Sequence, residues 1–134
     1  MSTFLLEIVT PERKVYAQDV NMIVVRGIAG ELGILPNHIP MVTPLKISSV
    51  KIKQGGSEQI VAVNGGFVEI RKEKVVILAE SAELPGDIDV DRAQAAKQRA
   101  EQRLSAAKKD EIDFRRAELA LQRAMNRLDV SDKR

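Results

Sequence analysis

The sequence contains no cysteine and no tryptophan, and its aromatic residues are three phenylalanines and one tyrosine. Without cysteine, disulfide bonds and thiolate chemistry are excluded. So few aromatic side chains leave little for base stacking, and a net charge of +2 is too small to indicate nucleic-acid binding. No run of about 18 apolar residues is present, so we expect no membrane-spanning segment. These absences favour an ordinary soluble domain.

Glycine and proline are absent after Gly86. All eight glycines and all five prolines lie at or before that residue, whereas eight of the eleven arginines follow it. Both residue types are frequent in turns and costly inside helices. The sequence therefore predicts an α+β protein of two domains. Residues 1–86 are expected to form an antiparallel β-sandwich or a β-barrel, and residues 87–134 a two-helix antiparallel hairpin.

Short apolar runs rich in β-branched residues predict the strands of the first domain. They cover residues 4–9, 20–25, 47–53, 60–63, 67–71 and 75–79. Runs 22–25 and 75–78 are continuously apolar, which is typical of strands covered on both faces, so we expect all their side chains in the core. The sequence Asn64-Gly65-Gly66 predicts a hairpin turn.

Residues 30–40 differ from the surrounding segments. They read Gly-Glu-Leu-Gly-Ile-Leu-Pro-Asn-His-Ile-Pro, which is too proline-rich for a central strand and too apolar for an ordinary exposed loop. Two interpretations remain open: a loop that contacts a partner, or a loop folded over its own core. His38 is the sole histidine, and without a second histidine or a cysteine the sequence does not indicate a zinc site.

Apolar residues at helical spacing predict two helices with a break near Lys108-Lys109-Asp110. Asp87 or Asp89 is the candidate N-cap of the first helix, and Asp110 that of the second. The predicted seams are Ala93, Ala96, Ala100, Leu104 and Ala107, and Phe114, Ala117, Leu121, Ala124 and Leu128. Alanine buries little area, so the hairpin should be marginal alone and easily moved. It must dock on the first domain or on a partner, or bind a ligand.

Arginines recur with the same spacing, seven then four residues, in both predicted helices. They are Arg92, Arg99 and Arg103, and Arg116, Arg123 and Arg127. At about 100° per residue each set forms one stripe, and both stripes should emerge on one edge of the hairpin. Guanidinium groups match phosphate oxygens well. The edge is therefore either an anion site or a solvated basic face relieved by Glu101 and Glu118.

No glycine-rich phosphate loop, general base, nucleophile or carboxylate cluster for a metal is evident. Neither GxxxxGK[ST] nor GxGxxG occurs in the chain. A bound polyphosphate would therefore be held and not hydrolysed.

Three segments resemble the epsilon subunit of bacterial F-type ATP synthase, especially that of Bacillus-like bacteria. They are residues 30–40, Gly65-Gly66-Phe67, and 116–128, and the resemblance extends over essentially the whole chain. It implies a non-catalytic subunit of the central rotor stalk, peripheral at the cytoplasmic face of the cell membrane. It also implies that the β-sandwich binds the gamma subunit and the c-ring, with Glu31 and His38 in the docking loop.

The resemblance further implies that the hairpin is regulatory. Compact, it lies against the sandwich; extended, it reaches along gamma into the alpha/beta catalytic head and inhibits ATP hydrolysis. Some relatives bind ATP on the compact hairpin through Ile/Leu-Asp-x-x-Arg-Ala, which residues 88–93 match in full. The implied base contacts are Ile88, Asp89 and Ala93, with Glu83 nearby. The implied ribose and phosphate ligands are Arg92, Arg99, Arg123 and Arg127.

The sequence leaves open the effect of Asp91 and the choice between two functions. Asp91 adds a negative charge beside Arg92, which either weakens ATP binding or favours the helix N-terminus. The alternative function is a purely structural rotor coupler whose arginines contact only protein partners, without ATP sensing.

Overall fold

The computed structural model describes residues 2–106 and 111–133. The chain divides into two compact units, Met1–Leu84 and Pro85–Arg134. The domain boundary predicted after Gly86 falls two residues beyond this division.

The first unit is an eight-stranded β-sandwich, as predicted. Its strands are β1 (Phe4–Val9), β2 (Lys14–Val20), β3 (Met22–Gly27), β4 (Gly30–Ile34), β5 (Met41–Gln54), β6 (Ser57–Ile70), β7 (Lys74–Ala79) and β8 (Ala82–Glu83). The hydrogen-bonded order is β2-β1-β7-β6-β5-β3-β4, with β8 paired to β6. Only the β1–β7 pair is parallel among these pairings. Gln54 Nε2 donates to Gln18 Oε1 at 2.9 Å, which links the end of β5 to β2.

A single hydrophobic cluster fills the sandwich, and all of its members lie in the first unit. Its largest fully buried side chains are Leu6, Ile8, Ile23, Ile34, Ile52 and Ile77. Burying a side chain of this size contributes roughly 1.5–3 kcal/mol. The sandwich therefore carries its own core without a contribution from the helices.

The predicted hairpin turn at Asn64-Gly65-Gly66 is wrong, because these residues lie within β6. Residues on both sides pair with β5 in one unbroken register, from Gln54↔Ser57 to Met41↔Ile70. The glycines have positive φ values of 87° and 132°, and here β6 passes from pairing with β8 to pairing with β7. The β5–β6 hairpin turn instead lies at Gly55-Gly56, where the predicted strand 47–53 was expected to end.

The predicted loop at 30–40 is wrong for its first half. Gly30–Ile34 forms β4, which pairs antiparallel with β3 and lies at an edge of the sheet. An edge strand needs hydrogen bonds on one side only, so the prolines that follow it at positions 36 and 40 do not interrupt a ladder. Residues 35–40 form the connection to β5.

The expectation that runs 22–25 and 75–78 are buried throughout is wrong at Met22 and Val24, which are half-buried, and at Leu78. Val75, Val76 and Ile77 are buried, but Leu78 is 46% exposed. It lies directly opposite Phe67 in the β6–β7 register, and Phe67 is also exposed. This side of the sheet faces outward, so a continuous apolar run does not imply cover on both faces here.

The second unit contains a 3-10 turn (Pro85–Asp87) and two helices, α1 (Val90–Ala106) and α2 (Glu111–Ser131). The helices contact one another extensively, and the four-residue connection between them requires an antiparallel arrangement. The predicted break at 108–110, the Asp110 cap and Ala107 lie outside the described residues. Within the described residues, neither helix is long and apolar enough to cross a membrane.

An ion-pair cluster on the sandwich surrounds the carboxylate of Glu7, which is buried. Lys14 Nζ lies 2.5 Å from Glu7 Oε2, and Lys74 Nζ donates to Glu7 Oε1 at 2.9 Å. These three residues belong to neighbouring strands β2, β1 and β7. The two ammonium groups lower the pKa of the Glu7 carboxyl from 4.5 to about 2.

We expect this cluster to make stability fall in acid. Because the Glu7 pKa is lower in the folded chain, its contribution is fully present above about pH 4.5 and is lost as the pH falls towards 2. Glu7→Gln should lower the urea midpoint at pH 7, since two lysines then face each other without a carboxylate, and should flatten the profile between pH 5 and 2. The control is Glu12→Gln, which removes an exposed carboxylate that makes no ion pair within residues 2–106 and 111–133. Equal profiles for Glu7→Gln and wild type would contradict this role.

Candidate functional site

The start of α1 and the two residues before it hold four of the predicted site residues. Asp89 is the N-cap, because its Oδ1 accepts the backbone N–H of Arg92 at 3.0 Å. The Asp89 carbonyl also accepts the N–H of Ala93 at 3.0 Å. Ile88 and Ala93 are buried, whereas Asp89 and Arg92 are exposed. Asp89 was one of the two predicted N-cap residues, and this prediction is confirmed.

The two helices meet along alanines. Ala93, Ala100, Ala117 and Ala124 are each at most 3% exposed. Ala100 lies six residues before the end of α1 and Ala117 six residues after the start of α2; Ala93 and Ala124 are each thirteen residues from those ends. In an antiparallel hairpin these positions face each other in two pairs.

The rest of the predicted seams is less completely buried. Ala96, Leu104, Leu121 and Leu128 are half-buried. Phe114 is wrong as a seam residue, because it is 42% exposed. Ala117, three residues further along α2, is buried instead.

Arg92, Arg123 and Arg127 lie at the same level of the hairpin. Counted from the inter-helix connection, they are 14, 12 and 16 residues away, which is a spread of about 6 Å along the axis. Arg92 is exposed, and the other two are half-buried. Arg99 lies closer to the connection, roughly 10 Å from Arg92 along α1. Three of the four predicted phosphate ligands therefore share one end of the hairpin.

A cavity of about 660 Å³ lies nearer the connection, lined entirely by residues of α1 and α2. Its charged lining residues are Arg103, Arg116, Arg123 and Asp113. Its remaining walls are Ala106, Ala117, Leu119 and Ala120. Each of the predicted arginine stripes thus contributes to this cavity, which is what their common spacing predicted. Arg103 and Arg116 were not among the predicted nucleotide ligands.

The predicted partner residues lie elsewhere, in the first unit. Glu31 is exposed in β4 and forms a 3.9 Å ion pair with Arg26, its register partner in β3. His38 is half-buried in the connection from β4 to β5, and its Nδ1 donates to the Ile39 carbonyl at 2.7 Å. Glu83, the remaining predicted base contact, is half-buried in β8 and already has a bonding partner.

Exposed apolar residues cluster at the end of the sandwich that carries the β3–β4 turn. Ile28 lies in that turn, and its N–H donates to the Pro44 carbonyl. Ile39, Met41 and Val42 follow along the chain, and Ile39 is 79% exposed. The apolar segment 30–40 signalled part of this surface, but residues 28, 41 and 42 were missed because each also fits a short turn or strand. A surface of this kind is typical of a docking site.

Comparison with known proteins gives matches over both units. Residues 3–85 match the family described as ATP synthase, Delta/Epsilon chain, beta-sandwich domain. Residues 87–132 match ATP synthase, Delta/Epsilon chain, long alpha-helix domain. These two matches together extend over nearly all of the described chain.

Curated relatives agree with these matches. The ATP synthase epsilon chain of Alkalihalophilus pseudofirmus is 62% identical over 110 residues, 82% of this chain and 83% of that protein. The ATP synthase epsilon chain of Brevibacillus brevis is 59% identical over 106 residues, 78% of this chain and 80% of that protein.

A solved structure shares the fold. A chain from the Euglena gracilis mitochondrial ATP synthase, solved as OSCP/F1/c-ring, aligns with a TM-score of 0.79 at 22% identity. The alignment covers 98% of this chain and 82% of that one.

Proposed function

The chain belongs to the ATP synthase delta/epsilon family, and from this membership we propose that it is a regulatory subunit of the central rotor stalk whose hairpin is held compact by ATP. The subunit is non-catalytic. Its sandwich docks on the gamma subunit and the c-ring, and its hairpin, when it opens, inhibits ATP hydrolysis in the catalytic head.

The thin alanine seam is the observation that carries this proposal. The buried residues of α1 are the alanines at positions 93 and 100, and those of α2 are Ala117, Ala124, Val130 and Ser131. Alanine thus makes up all of the buried positions of α1 and the buried positions in the middle of α2. A buried methyl-sized group contributes about 0.8 kcal/mol, whereas a large aliphatic side chain contributes roughly 1.5–3 kcal/mol. The helices therefore adhere weakly, and a ligand that bridges them can decide whether they stay together.

The phosphate end of a nucleotide fits the residues present. Arg92 belongs to α1, and Arg123 and Arg127 belong to α2, so phosphates held between them connect the two helices. Guanidinium forks bind phosphate oxygens through paired, charge-assisted hydrogen bonds. Asp89 keeps one carboxylate oxygen beyond the one that caps α1. Ile88 and Ala93 are buried. A nucleotide base would therefore contact the small exposed part of each side chain and the backbone around it.

The regulatory mechanism follows from mass action. A ligand that binds only the compact hairpin stabilises it by RT ln(1 + [L]/Kd), about 2.7 kcal/mol at a hundredfold excess over Kd. When ATP falls, this contribution disappears and the alanine seam alone holds the helices. The hairpin then opens, and its arginines are available to acidic surfaces of the catalytic subunits. One equilibrium thus limits wasteful hydrolysis at low ATP.

Docking of the sandwich rests on its exposed apolar surface. Ile28, Ile39, Met41 and Val42 lie at one end, beside the predicted partner residues Glu31 and His38. On the outer sheet face, Pro44, Phe67 and Leu78 lie opposite one another in consecutive strands and are exposed. An apolar patch of this kind fits a partner subunit that presents an apolar surface of its own. Glu83 stays a prediction from the family resemblance.

The test is a calorimetric titration of the full chain with ATP, combined with thermal melting. We expect saturable binding and a rise in the hairpin melting temperature, both abolished by Arg92→Ala and by Arg123→Ala, since each removes one side of the bridge. Melting of the sandwich should not change, because its core lies wholly in the first unit.

Arg115→Ala is the matched control. Arg115 lies on α2 next to the arginine stripe, but its guanidinium pairs with Glu118. We expect this variant to bind ATP as the wild type does. Unchanged ATP binding in Arg92→Ala and Arg123→Ala contradicts the proposal. No ATP binding by the wild-type chain favours the alternative, a structural coupler whose arginines contact only proteins.

A further inference from the structure

The cavity between α1 and α2 concentrates positive charge beyond what the nucleotide site requires. Three arginines, Arg103, Arg116 and Arg123, line a volume of about 660 Å³, and Asp113 is the acidic residue among the lining residues of the described chain. Asp113 has a bonding partner of its own. Within residues 2–106 and 111–133, the three guanidiniums make no hydrogen bond or ion pair. Among the lining residues that the structure describes, three guanidinium groups therefore stand against one carboxylate, a formal excess of two positive charges.

Arg115 and Arg116 are neighbours in sequence but have different surroundings. Arg115, one residue before Arg116, pairs with Glu118 on the same helix. Arg116 instead lines the cavity, together with an arginine of α1 and a second arginine of α2. Like charges brought to one cavity repel each other, and either solvent or a bound anion relieves the repulsion. Arg103 and Arg116 are exposed, and Arg123 is half-buried. Planar guanidiniums arranged around a common volume suit a tetrahedral oxyanion, which accepts several hydrogen bonds at once.

This cavity lies closer to the inter-helix connection than the proposed nucleotide residues at the start of α1, and it shares Arg123 with that site. Arg116 lies five residues from the inter-helix connection and Arg92 fourteen, which is about 13 Å along the hairpin axis. Of the predicted nucleotide ligands, only Arg123 also lines the cavity. Arg103 and Arg116 have no part in the proposed ATP site.

We propose that the cavity is an inorganic oxyanion site, of the phosphate class, that clamps the two helices near their connection independently of nucleotide. Arg103 holds the anion from α1, and Arg116 and Arg123 hold it from α2. Bound anion removes the repulsion among the three guanidiniums and favours the compact hairpin. The inference stands on the cavity itself and does not depend on ATP binding.

The test is a titration of the full chain with inorganic phosphate at constant ionic strength, followed through the NMR signals of the arginine Nε–H groups. We expect saturable shifts for Arg103, Arg116 and Arg123, and an affinity at least about tenfold weaker in the double variant Arg103→Gln/Arg116→Gln. Arg115→Gln is the matched control and should bind as the wild type does. Circular dichroism checks that each variant keeps its helices.

Each outcome decides the proposal. Saturable binding that the double variant loses and the control keeps supports it. Shifts that do not saturate, or that saturate equally in the double variant, overturn it. A second arm titrates the wild type and the double variant with ATP and ADP. If phosphate has no effect and the double variant binds ATP more weakly but ADP equally well, the cavity holds the terminal phosphate of the nucleotide. That result overturns the free-anion site. Failure of ATP to bind the wild type contradicts the proposed function alone.

Discussion

Deleting residues 87–134 should abolish ATP-sensitive inhibition of hydrolysis while the remaining chain still joins the rotor. The reason is that the two units have different tasks and the first carries a complete core. All members of the hydrophobic cluster lie between Phe4 and Leu84, and the exposed apolar docking surface lies there too. In the proposed function the hairpin is the inhibitory element, so its removal should raise hydrolysis at low ATP to the uninhibited level.

The measurement is ATP hydrolysis by the reassembled complex across a range of ATP concentrations, with the full chain as control. We expect the truncated complex to show no additional inhibition at low ATP. Pull-down with the gamma subunit should be unaffected, since the β3–β4 turn and residues 35–42 remain. Loss of gamma binding on truncation would disprove this division of labour, and unchanged inhibition would remove the hairpin from the mechanism.

Replacing Gly66 with alanine should unfold or severely destabilise the sandwich. An alanine Cβ at this position would lie 2.0 Å from the Leu78 carbonyl oxygen and 2.9 Å from Ala79 Cα. Both are backbone atoms of β7, so neither moves without disrupting the sheet. The φ of 132° adds strain for any residue with a Cβ. We expect a loss of at least about 3 kcal/mol, which is a fall of roughly 12 °C or more in melting temperature.

Gly56→Ala is the matched control for this substitution. Gly56 lies in the β5–β6 turn, where a Cβ meets nothing within 4 Å and φ is outside the positive region. Its melting temperature should stay close to that of the wild type, since surface substitutions of this kind change stability by about 0.5 kcal/mol or less. A Gly66→Ala variant as stable as Gly56→Ala would show that β6 and β7 are not tightly apposed at this point.

Sequence reasoning succeeded where one signal dominated. The loss of glycine and proline after Gly86 predicted the change from strands to helices, and the fold class is confirmed. Asp89 was a candidate cap because an aspartate directly before a helical pattern has a specific local partner, the N–H of Arg92. Local chemistry of this kind can be derived without knowledge of the rest of the chain.

Sequence reasoning failed where the contact that determines the local structure is with a residue distant in sequence. Asn64-Gly65-Gly66 has the composition of a turn, but β5 provides a continuous partner on both sides of it, and its glycines allow close approach to β7. β4 was missed because its pairing with β3 depends on a turn at Ile28-Ala29 that lacks typical turn residues. Exposure of Leu78 and Phe114 depends on which face is covered, which periodicity alone does not decide.

The candidate site was partly predictable for a similar reason. Arginine spacing along each helix is a local property, so the sequence alone predicted two stripes on one edge. Their grouping into an end formed by Arg92, Arg123 and Arg127 and a cavity lined by Arg103 and Arg116 depends on the register of the two helices. That register is set by the paired alanines and by the position of the connection.

The central claim is that ATP selects the compact hairpin, and a distance measurement between the helices tests it most directly. The chain has no cysteine, so Gln98→Cys and Gln122→Cys, both at exposed positions of the two helices, take spin labels at these sites alone. With saturating ATP we predict one short, narrow distance distribution; without ATP we predict a long component, which the Arg92→Ala variant keeps even when ATP is added. An identical distribution at every ATP concentration would contradict the account.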